Sequence, residues 1–281
     1  MTGRARNRAR RDSPGGGGFA IGGRRAVLEA LRSGLGRRVM VAAGSRSTEA
    51  LRALLAEVER SHVAMEWVPR EELAAIGLRE AQGVAAFIDL PRELDEQALA
   101  TTAYPDDAVL VCLDGITDPQ NLGTCARAAE AAGVSMLVAR RRRAAPVSPA
   151  AIRASAGALL HLPLARVPNL PRAIQRLKAL GFRVVGLDQR AGRTIHDATP
   201  PKRPIVLVVG AEDTGISRLV REECDLMVSI PMSGRTGSLN VAAALAVGLF
   251  GYVFRPTGSA EGAGTMPDDA GVAQPGSASD L

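Results

Sequence analysis

Short apolar runs alternate with amphipathic segments along most of this 281-residue chain. In the C-terminal half the runs are four or five residues long and rich in Val, Ile and Leu, which is typical of strands buried on both faces of a parallel sheet. Segments with helical spacing separate these runs. The pattern therefore predicts an α/β domain built on a mostly parallel sheet with helices on both faces. The predicted strands are 109–113, 136–139, 184–187, 205–209 and 227–230.

The N-terminal part shows the same alternation on a smaller scale. Its spacing predicts helices over 23–31 and 48–60 and strands over 39–43, 66–68 and 84–88. Together these elements predict a small α/β domain of residues 19–90, ahead of a larger domain of residues 108–255. Residues 91–107 hold two prolines and several acids, and we expect them to be the linker between the two domains.

Both ends of the chain have compositions that do not support a packed core. Residues 1–18 combine clustered arginines with a run of glycines, and residues 256–281 are rich in Gly, Ala, Ser, Pro and Asp. Both segments are predicted to be disordered. The first is then either a basic arm that lies along a phosphate backbone or a solvated tail without a role. Its arginines are Arg4, Arg6, Arg8, Arg10 and Arg11.

The charge balance favours a polyanionic partner, because the net charge is +6 and the isoelectric point about 10.0. No apolar run approaches the ~20 residues of a membrane span. No apolar segment follows the N-terminal arginines, as it would in a secretory signal. We therefore expect a cytoplasmic protein without membrane contact.

The cysteines and histidines show no metal-ligand spacing. Cys112, Cys125 and Cys224 are widely separated and form no C-x-x-C pair, and the three histidines form no H-x-x-x-H pattern. We expect reduced, mostly buried cysteines and no metal site.

Three polar stretches carry the candidate chemistry, and each follows a predicted strand. No G-x-G-x-x-G opens a helix after the first strand and no G-x-x-x-x-G-K-[ST] occurs, so a dinucleotide or nucleoside triphosphate site is poorly supported. The third stretch runs into a predicted helix over 239–253. The three are Asn121-x-Gly-x-x-x-Arg127, Gly210-x-Glu212-x-x-Gly215 and Ile230-Pro-Met232-x-Gly-x-x-x-Ser238-Leu239-Asn240.

In this order the stretches resemble the three motifs of the SpoU (TrmH-type) branch of the SPOUT methyltransferases, over residues 109–254. Residues 19–90 resemble the small substrate-binding domain of the ribosomal RNA guanosine-2′-O-methyltransferases in that family. The resemblance implies a trefoil knot in the larger domain and S-adenosylmethionine bound inside it. It also implies a homodimer, for which the helix over 239–253 is the candidate contact.

The resemblance assigns roles to the motif residues. Backbone groups around Gly210, Ile230, Met232 and Leu239 are implied to hold the cofactor. Arg127 is implied in catalysis, either as the base that takes the ribose proton or as a phosphate anchor, and the anchor suits a permanently charged guanidinium better. Asn121 is expected to support the site.

Three further motif residues have both a functional and a structural interpretation. Glu212 either pairs with Arg127 and positions it or caps a helix. Ser238 and Asn240 match positions that touch the cofactor or the target nucleotide, and both are also helix-capping residue types.

Two arginine clusters are candidate RNA contacts. Arg24 and Arg25 begin the first predicted helix, and a run of four follows the strand 136–139. Either cluster is alternatively a solvated surface. The run consists of Arg140, Arg141, Arg142 and Arg143.

The leading prediction is an S-adenosylmethionine-dependent RNA 2′-O-methyltransferase that acts on a guanosine of 23S ribosomal RNA. Within the same class, the alternatives are a transfer RNA guanosine-2′-O-methyltransferase and a thiostrepton-resistance type enzyme that acts on a ribosomal RNA adenosine. From a different class, a non-catalytic RNA-binding ribosome-assembly factor is the remaining alternative.

Overall fold

A computed structural model describes residues 18–78, 81–235 and 237–254 and contains two sheets. The predicted basic arm, apart from Gly18, and the predicted C-terminal tail lie outside the described residues. None of the described helices has the length and apolar character to cross a bilayer. Within the same residues, no group of three or more His, Cys, Asp or Glu side chains is placed to hold a metal ion.

The N-terminal sheet has four strands in the order β1-β4-β2-β3, in which β4 is antiparallel to both of its neighbours. Buried Val39 and Val41 of β2 belong to an apolar cluster that also contains residues of α1 and α2. The side chain of Thr48 caps the start of α2. The elements are β1 (Phe19–Gly22), α1 (Arg24–Arg32), β2 (Gly36–Ala42), α2 (Glu49–Ser61), β3 (Ala64–Val68), α3 (Arg70–Ala75) and β4 (Val84–Ile88).

The second sheet has six strands in the order β10-β8-β9-β5-β6-β7, and all are parallel. The prediction of a mostly parallel α/β sheet is confirmed. The elements are α4 (Glu96–Thr101), β5 (Val109–Asp114), α5 (Pro119–Ala131), β6 (Met136–Arg140), α6 (Pro149–Ala154), a 3-10 turn (Ala158–Leu160), β7 (Leu164–Val167), α7 (Leu170–Ala179), β8 (Arg183–Leu187), β9 (Ile205–Gly210), α8 (Arg218–Glu222), β10 (Leu226–Val228), α9 (Val241–Gly248) and a π-helical turn (Leu249–Val253).

The strand order shows how the chain builds the larger domain. It runs outward from β5 through β6 to β7, crosses to β8 on the other side, and then fills the position between β8 and β5 with β9. This crossing places the carboxyl ends of β5, β9 and β8 side by side. The knotted threading that the family resemblance implies stays a prediction.

The segment expected to be a linker, 91–107, packs against the larger domain. Its helix α4 buries Leu99 completely, and Tyr104 makes an edge-to-face contact with Phe182 at 5.2 Å between ring centroids. Leu94 forms a parallel bridge with Ala165 of β7. The segment is therefore continuous with the larger domain, although the predicted boundaries themselves stay predictions.

A single apolar cluster joins the two sheets. It includes Ile21 and Val27 of the small domain together with Leu122 and Ile152 of the larger one. At the junction Gly157 has a φ of 96°, and a Cβ at this position would lie 2.6 Å from the Cβ of Glu29. Close backbone approach and a shared core thus hold the two domains together.

Gly123 in the first motif allows α5 and α6 to cross in direct contact. A Cβ at this position would lie 2.3 Å from the carbonyl oxygen of Ala151 and 2.6 Å from the Cβ of Ala154. Since real Cβ atoms do not approach a backbone oxygen so closely, glycine is the residue that this helix pair requires. The crossing fixes α5, and with it the side chains that α5 carries into the site.

Candidate functional site

Three motif side chains meet at the carboxyl ends of the central strands. The Nδ2 atom of Asn121 donates to Oε1 of Glu212 over 3.1 Å, and the Nδ2 atom of Asn240 donates to the same oxygen over 2.6 Å. The Nδ2 atom of Asn240 also lies 3.0 Å from Oδ1 of Asn121. One residue from each motif thus contributes to a hydrogen-bonded triad, which we call the amide–carboxylate cluster.

Helix starts position both amides of this cluster. Asp118 caps α5 by accepting a hydrogen bond from the backbone of Gln120, which places Asn121 in the first turn. Asn240 caps α9 by accepting from the backbone of Ala242 over 3.0 Å. Because a capping side chain has a fixed direction, Asn240 presents its Nδ2 to Glu212 without further ordering. Ser238 does not cap this helix.

Glu212 contacts the two amides and the backbone N–H of Val241, at 3.4 Å, rather than Arg127. Arg127 is exposed and makes no hydrogen bond or ion pair with the residues that the structure describes. Arg127 lines neither the cavity beside Glu212 nor the one that Asn121 lines, and its guanidinium is available to a ligand.

A cavity of about 250 Å³ opens beside the cluster. Its wall combines apolar side chains with the carboxylates of Asp188, Glu212 and Asp213 and the guanidinium of Arg190. All four residues expected to hold the cofactor line it, and so does Ser238. The lining residues are Leu187, Asp188, Gln189, Arg190, Val209, Gly210, Ala211, Glu212, Asp213, Gly215, Ile230, Met232, Ser238, Leu239, Val241 and Ala244.

A second cavity of about 250 Å³ lies on the other side of Glu212. Ala211, Glu212 and Asp213 belong to both walls, so the second motif separates the two spaces. Asn121 lines only the second cavity. The remaining lining residues are Gly115, Ile116, Thr117 and Asp118.

Glycine at position 210 allows the loop after β9 to pack directly on the end of the strand. A Cβ on Gly210 would lie 2.1 Å from the carbonyl carbon of Gly215 and 2.3 Å from the backbone nitrogen of Ile216. The loop that follows β9 therefore folds back on Gly210, and the missing side chain serves this turn directly. The backbone of Gly210 still faces the cavity.

Two buried acids at the site were not predicted from the sequence. Asp114 ends β5 and is 2% exposed, and Asp188 follows β8 and is 6% exposed. Burial raises the pKa of Asp188, but hydrogen bonds from the side chain and backbone of Arg190 and from the amide of Ile216, with the charge of Arg221, outweigh it and lower the pKa to about 2. Asp188 is therefore ionised at neutral pH.

The arginines expected to contact RNA divide into two groups. Arg24 is held inside the small domain, where Nε donates to the carbonyl of Gln82 over 3.2 Å and the guanidinium also contacts Thr48. Arg140 is the last residue of β6 and pairs with Asp114 over 2.9 Å. By contrast, Arg25 and the three arginines 141–143 are exposed and make no side-chain bond with described residues.

The cysteines are free thiols. Cys112 and Cys125 are buried and Cys224 is half-buried. Burial raises the pKa of Cys125 and of Cys224 to about 12, so neither forms a thiolate at neutral pH.

Two family models and a relative in another species match most of this chain. A family model described as the SpoU rRNA Methylase family matches residues 108–250, and a model described as RNA 2′-O ribose methyltransferase substrate binding matches residues 20–94. A Mycolicibacterium vanbaalenii protein named an uncharacterized tRNA/rRNA methyltransferase is 41% identical over 231 residues, which are 80% of this chain and 73% of the relative.

Two solved structures share the fold. The SpoU methyltransferase AviRb from Streptomyces viridochromogenes, in complex with AdoMet, matches with a TM-score of 0.69 and 28% identity over 85% of this chain and 90% of that one. An AdoMet-bound rRNA methyltransferase from Sinorhizobium meliloti matches with a TM-score of 0.67 and 25% identity, covering 83% and 85% of the two chains.

Proposed function

Because this chain belongs to the SpoU rRNA methylase family, we propose that it transfers the methyl group of S-adenosylmethionine to a ribose 2′-hydroxyl of RNA. The observation that carries the proposal is the amide–carboxylate cluster of Asn121, Glu212 and Asn240, which stands between two cavities. One cavity suits a methyl donor and the other a nucleotide, so the two reactants would meet at Glu212.

The chemistry of the first cavity fits the cofactor. Leu187, Ile230 and Leu239 provide an apolar surface suited to an adenine ring, and the carboxylates of Glu212 and Asp213 suit a sulfonium cation. When bound, S-adenosylmethionine supplies an electrophilic methyl group. Glu212 belongs to the second motif and Ile230 and Leu239 belong to the third, so residues of both motifs would surround the cofactor.

Positioning is the main contribution that these residues offer to the transfer. An aligned pair of reactants replaces much of the entropic barrier of a bimolecular step. Asn121, which lines the second cavity, would orient the nucleotide, and the hydrogen bonds of the cluster fix its direction. Ser238 would contact the ligand in the first cavity.

Arg127 would bind an RNA phosphate and thereby hold the ribose against the methyl donor. Its exposure and its freedom from ion pairs with the described residues leave all of its donors for such a contact. A guanidinium carries no readily available lone pair, so the role of base is chemically the harder one. The base remains the alternative, and the two roles predict different pH behaviour.

The small domain supports an RNA substrate, because its family model is described as RNA 2′-O ribose methyltransferase substrate binding. The family model of the larger domain is described as the SpoU rRNA Methylase family, which favours ribosomal RNA. We propose a guanosine of 23S ribosomal RNA as the target. Arg25 and the exposed arginines at 141–143 would contact phosphates. Arg24 and Arg140 would instead support these surfaces from within, since each already bonds inside the protein.

Incubation of the enzyme with labelled S-adenosylmethionine and, separately, protein-free large-subunit RNA and bulk transfer RNA tests this proposal. Incorporation into a large-subunit guanosine is expected. Label only in transfer RNA or at an adenosine would replace the target and leave the reaction standing. A protein that binds RNA but gives no calorimetric signal with the cofactor would be a non-catalytic assembly factor.

A further inference from the structure

The loop that carries Glu212 is held from both sides by buried carboxylates. It leaves β9, which lies between β8 and β5. Each neighbouring strand ends in a buried acid, Asp188 after β8 and Asp114 at the end of β5. The loop therefore emerges between two largely buried carboxyl groups.

The two acids accept hydrogen bonds from consecutive backbone amides of this loop. The N–H of Ile216 donates to Oδ2 of Asp188 over 3.2 Å, and the N–H of Ser217 donates to Oδ2 of Asp114 over 2.8 Å. Hydrogen bonds to an ionised acceptor are about twice as strong as neutral ones. The end of the loop is thus fixed at two successive peptide units.

An arginine completes each side. Arg140 pairs with Asp114 over 2.9 Å and donates to Oγ of Ser217 over 3.3 Å. Arg190 binds Asp188 through Nε and Nη2, both at 3.1 Å, and donates to the carbonyl of Thr214 over 2.9 Å. Each arginine therefore contacts its own carboxylate and the loop.

The start of the loop is tied to the same frame. The N–H of Ala211 donates to the carbonyl of Asp114 over 3.0 Å, and the N–H of Gly215 donates to the carbonyl of Ala211 over 2.8 Å. Glu212 lies inside this closed turn. A shift of the loop backbone would therefore break the hydrogen bonds of Glu212 with Asn121 and Asn240.

Burying two carboxylates is costly. Strands β5 and β8 pair with β9 through their backbones and do not require these side chains. We propose that Asp114 and Asp188 are positioning residues that fix the loop 211–217, so that Glu212 and the wall of the first cavity are in place before the ligands bind. This inference rests on the proposed methyl transfer for its effect on catalysis. It rests on geometry alone for its effect on the loop.

The variant Asp188→Asn keeps the shape of the side chain and removes its charge. Hydrogen exchange of the Ile216 and Ser217 amides is expected to accelerate, and the calorimetric Kd for S-adenosylmethionine is expected to rise at least about 10-fold. A shift of ~1 Å in a positioning group costs on the order of 100-fold in rate, and a fall in kcat of up to this size is expected as well. Because Asp188 acts through Glu212, the loss of kcat in Asp188→Asn and Glu212→Gln together should not exceed that of the more damaging single variant.

Asp225 offers a matched control at the opposite end of β8. It accepts a hydrogen bond from the amide of Val184 over 2.8 Å and pairs with Lys178 over 2.7 Å, which is the same chemistry away from the site. Asp225→Asn should lower stability and leave cofactor affinity unchanged. Should Asp188→Asn not fold, Arg140→Gln tests the Asp114 side through the same amide exchange and cofactor affinity.

The proposal is overturned if folded Asp188→Asn has wild-type amide exchange, if its cofactor affinity changes no more than that of Asp225→Asn, or if its effect on kcat adds fully to that of Glu212→Gln. A wild-type protein that binds no cofactor would instead overturn the proposed function. The exchange measurement would still decide whether the two carboxylates hold the loop.

Discussion

The Nδ2 atom of Asn240 lies 2.6 Å from Oε1 of Glu212, and this hydrogen bond joins the third motif to the second. The same side chain caps α9 through its Oδ1 atom. Helix capping and assembly of the site therefore depend on one amide group. A substitution that keeps the helix cap but removes the hydrogen bond to Glu212 distinguishes the two functions.

Asn240→Ala is expected to lose both functions, and Asn240→Ser only one. Removing a cap costs about 1 kcal/mol, which a serine hydroxyl largely restores. Serine is too short to reach Glu212 and Asn121 together. Chemical denaturation should therefore show near-wild-type stability for Asn240→Ser, while methyl transfer stays low in both variants. Equal activity of Asn240→Ser and the wild type would contradict a role for the bridge.

Arg127→Ala should abolish methyl transfer and leave the Kd for S-adenosylmethionine nearly unchanged, because Arg127 is exposed and does not line the first cavity. Arg183→Ala is the control and should be active, because Arg183 is an exposed arginine at the amino-terminal start of β8, away from the carboxyl ends of the strands. Near-normal turnover of Arg127→Ala would refute the assignment.

Arg127→Lys separates the two roles of this residue. A phosphate anchor keeps its charge as lysine, so partial activity without a new pH dependence is expected. A base would act only as the neutral amine, and the rate would then rise as the pH approaches ~10. The pH profile of kcat for this variant distinguishes the two.

Gly123→Ala should destabilise the protein by several kcal/mol, since the new Cβ would lie 2.3 Å from the carbonyl oxygen of Ala151. Overpacking in a core typically costs ~1–3 kcal/mol, and a rigid backbone neighbour places this site at or above the upper end. Gly192→Ala is the matched control, because nothing lies within 4 Å of its added Cβ. Urea midpoints measure both, and similar midpoints would disprove the close helix crossing.

Stability should depend on pH through Asp188, whose pKa is lowered from 3.8 to about 2. A carboxylate with a lowered pKa in the folded state stabilises it above the pKa of the unfolded state, and this contribution, ~2 kcal/mol, is lost as the pH falls from about 4 towards 2. The difference in unfolding free energy between the wild type and Asp188→Asn should be constant from pH 7 to 5 and shrink below pH 4. A difference independent of pH would show that the charge of Asp188 does not matter.

We propose a homodimer formed through the helical segment 241–253. Phe250 is 53% exposed and Val247 36% exposed on it, which leaves an apolar face open to a partner. Light scattering should give twice the chain mass of 29.3 kDa for the wild type and the mass of one chain for Phe250→Asp. Leu219→Asp changes an equally exposed residue, at 54%, and should stay dimeric. A monomeric wild type would contradict the proposal.

The sequence placed each motif after a predicted strand, and because the carboxyl ends of parallel strands share one edge of the sheet, Asn121, Glu212 and Asn240 meet there, whereas Arg127 does not join them. It did not predict how they pair. Glu212 had two interpretations, pairing with Arg127 or capping a helix. It accepts hydrogen bonds from two side-chain amides and from the backbone N–H of Val241 at the start of α9, because the path of the loop after β9 decides which groups it meets. Spacing within a motif carries no information about that path.

Other misses follow from short or isolated signals. Strand β7 has four residues and one of them is the buried Arg166, so no continuous apolar run marked this strand. The guanidinium of Arg166 pairs with Glu93 and donates to the carbonyl of Ala145. Asp114 and Asp188 are single acids after strands and look like ordinary turn residues. Arg140 belongs to a run of four arginines, and a charge run does not show which member turns inward.

The shared apolar core of the two domains has a consequence for how a target is chosen. A small domain on a flexible tether would sample many separations from the transfer site and accept RNA of many shapes. Here Gly157 packs against Glu29 and the cluster is continuous, so the span from Arg25 to Arg127 is a constant of the fold. With Arg25 and Arg127 as the proposed phosphate contacts, an RNA would be selected by the distance between its bound segment and its reactive ribose, and two RNAs of identical local sequence but different tertiary folds would be distinguished.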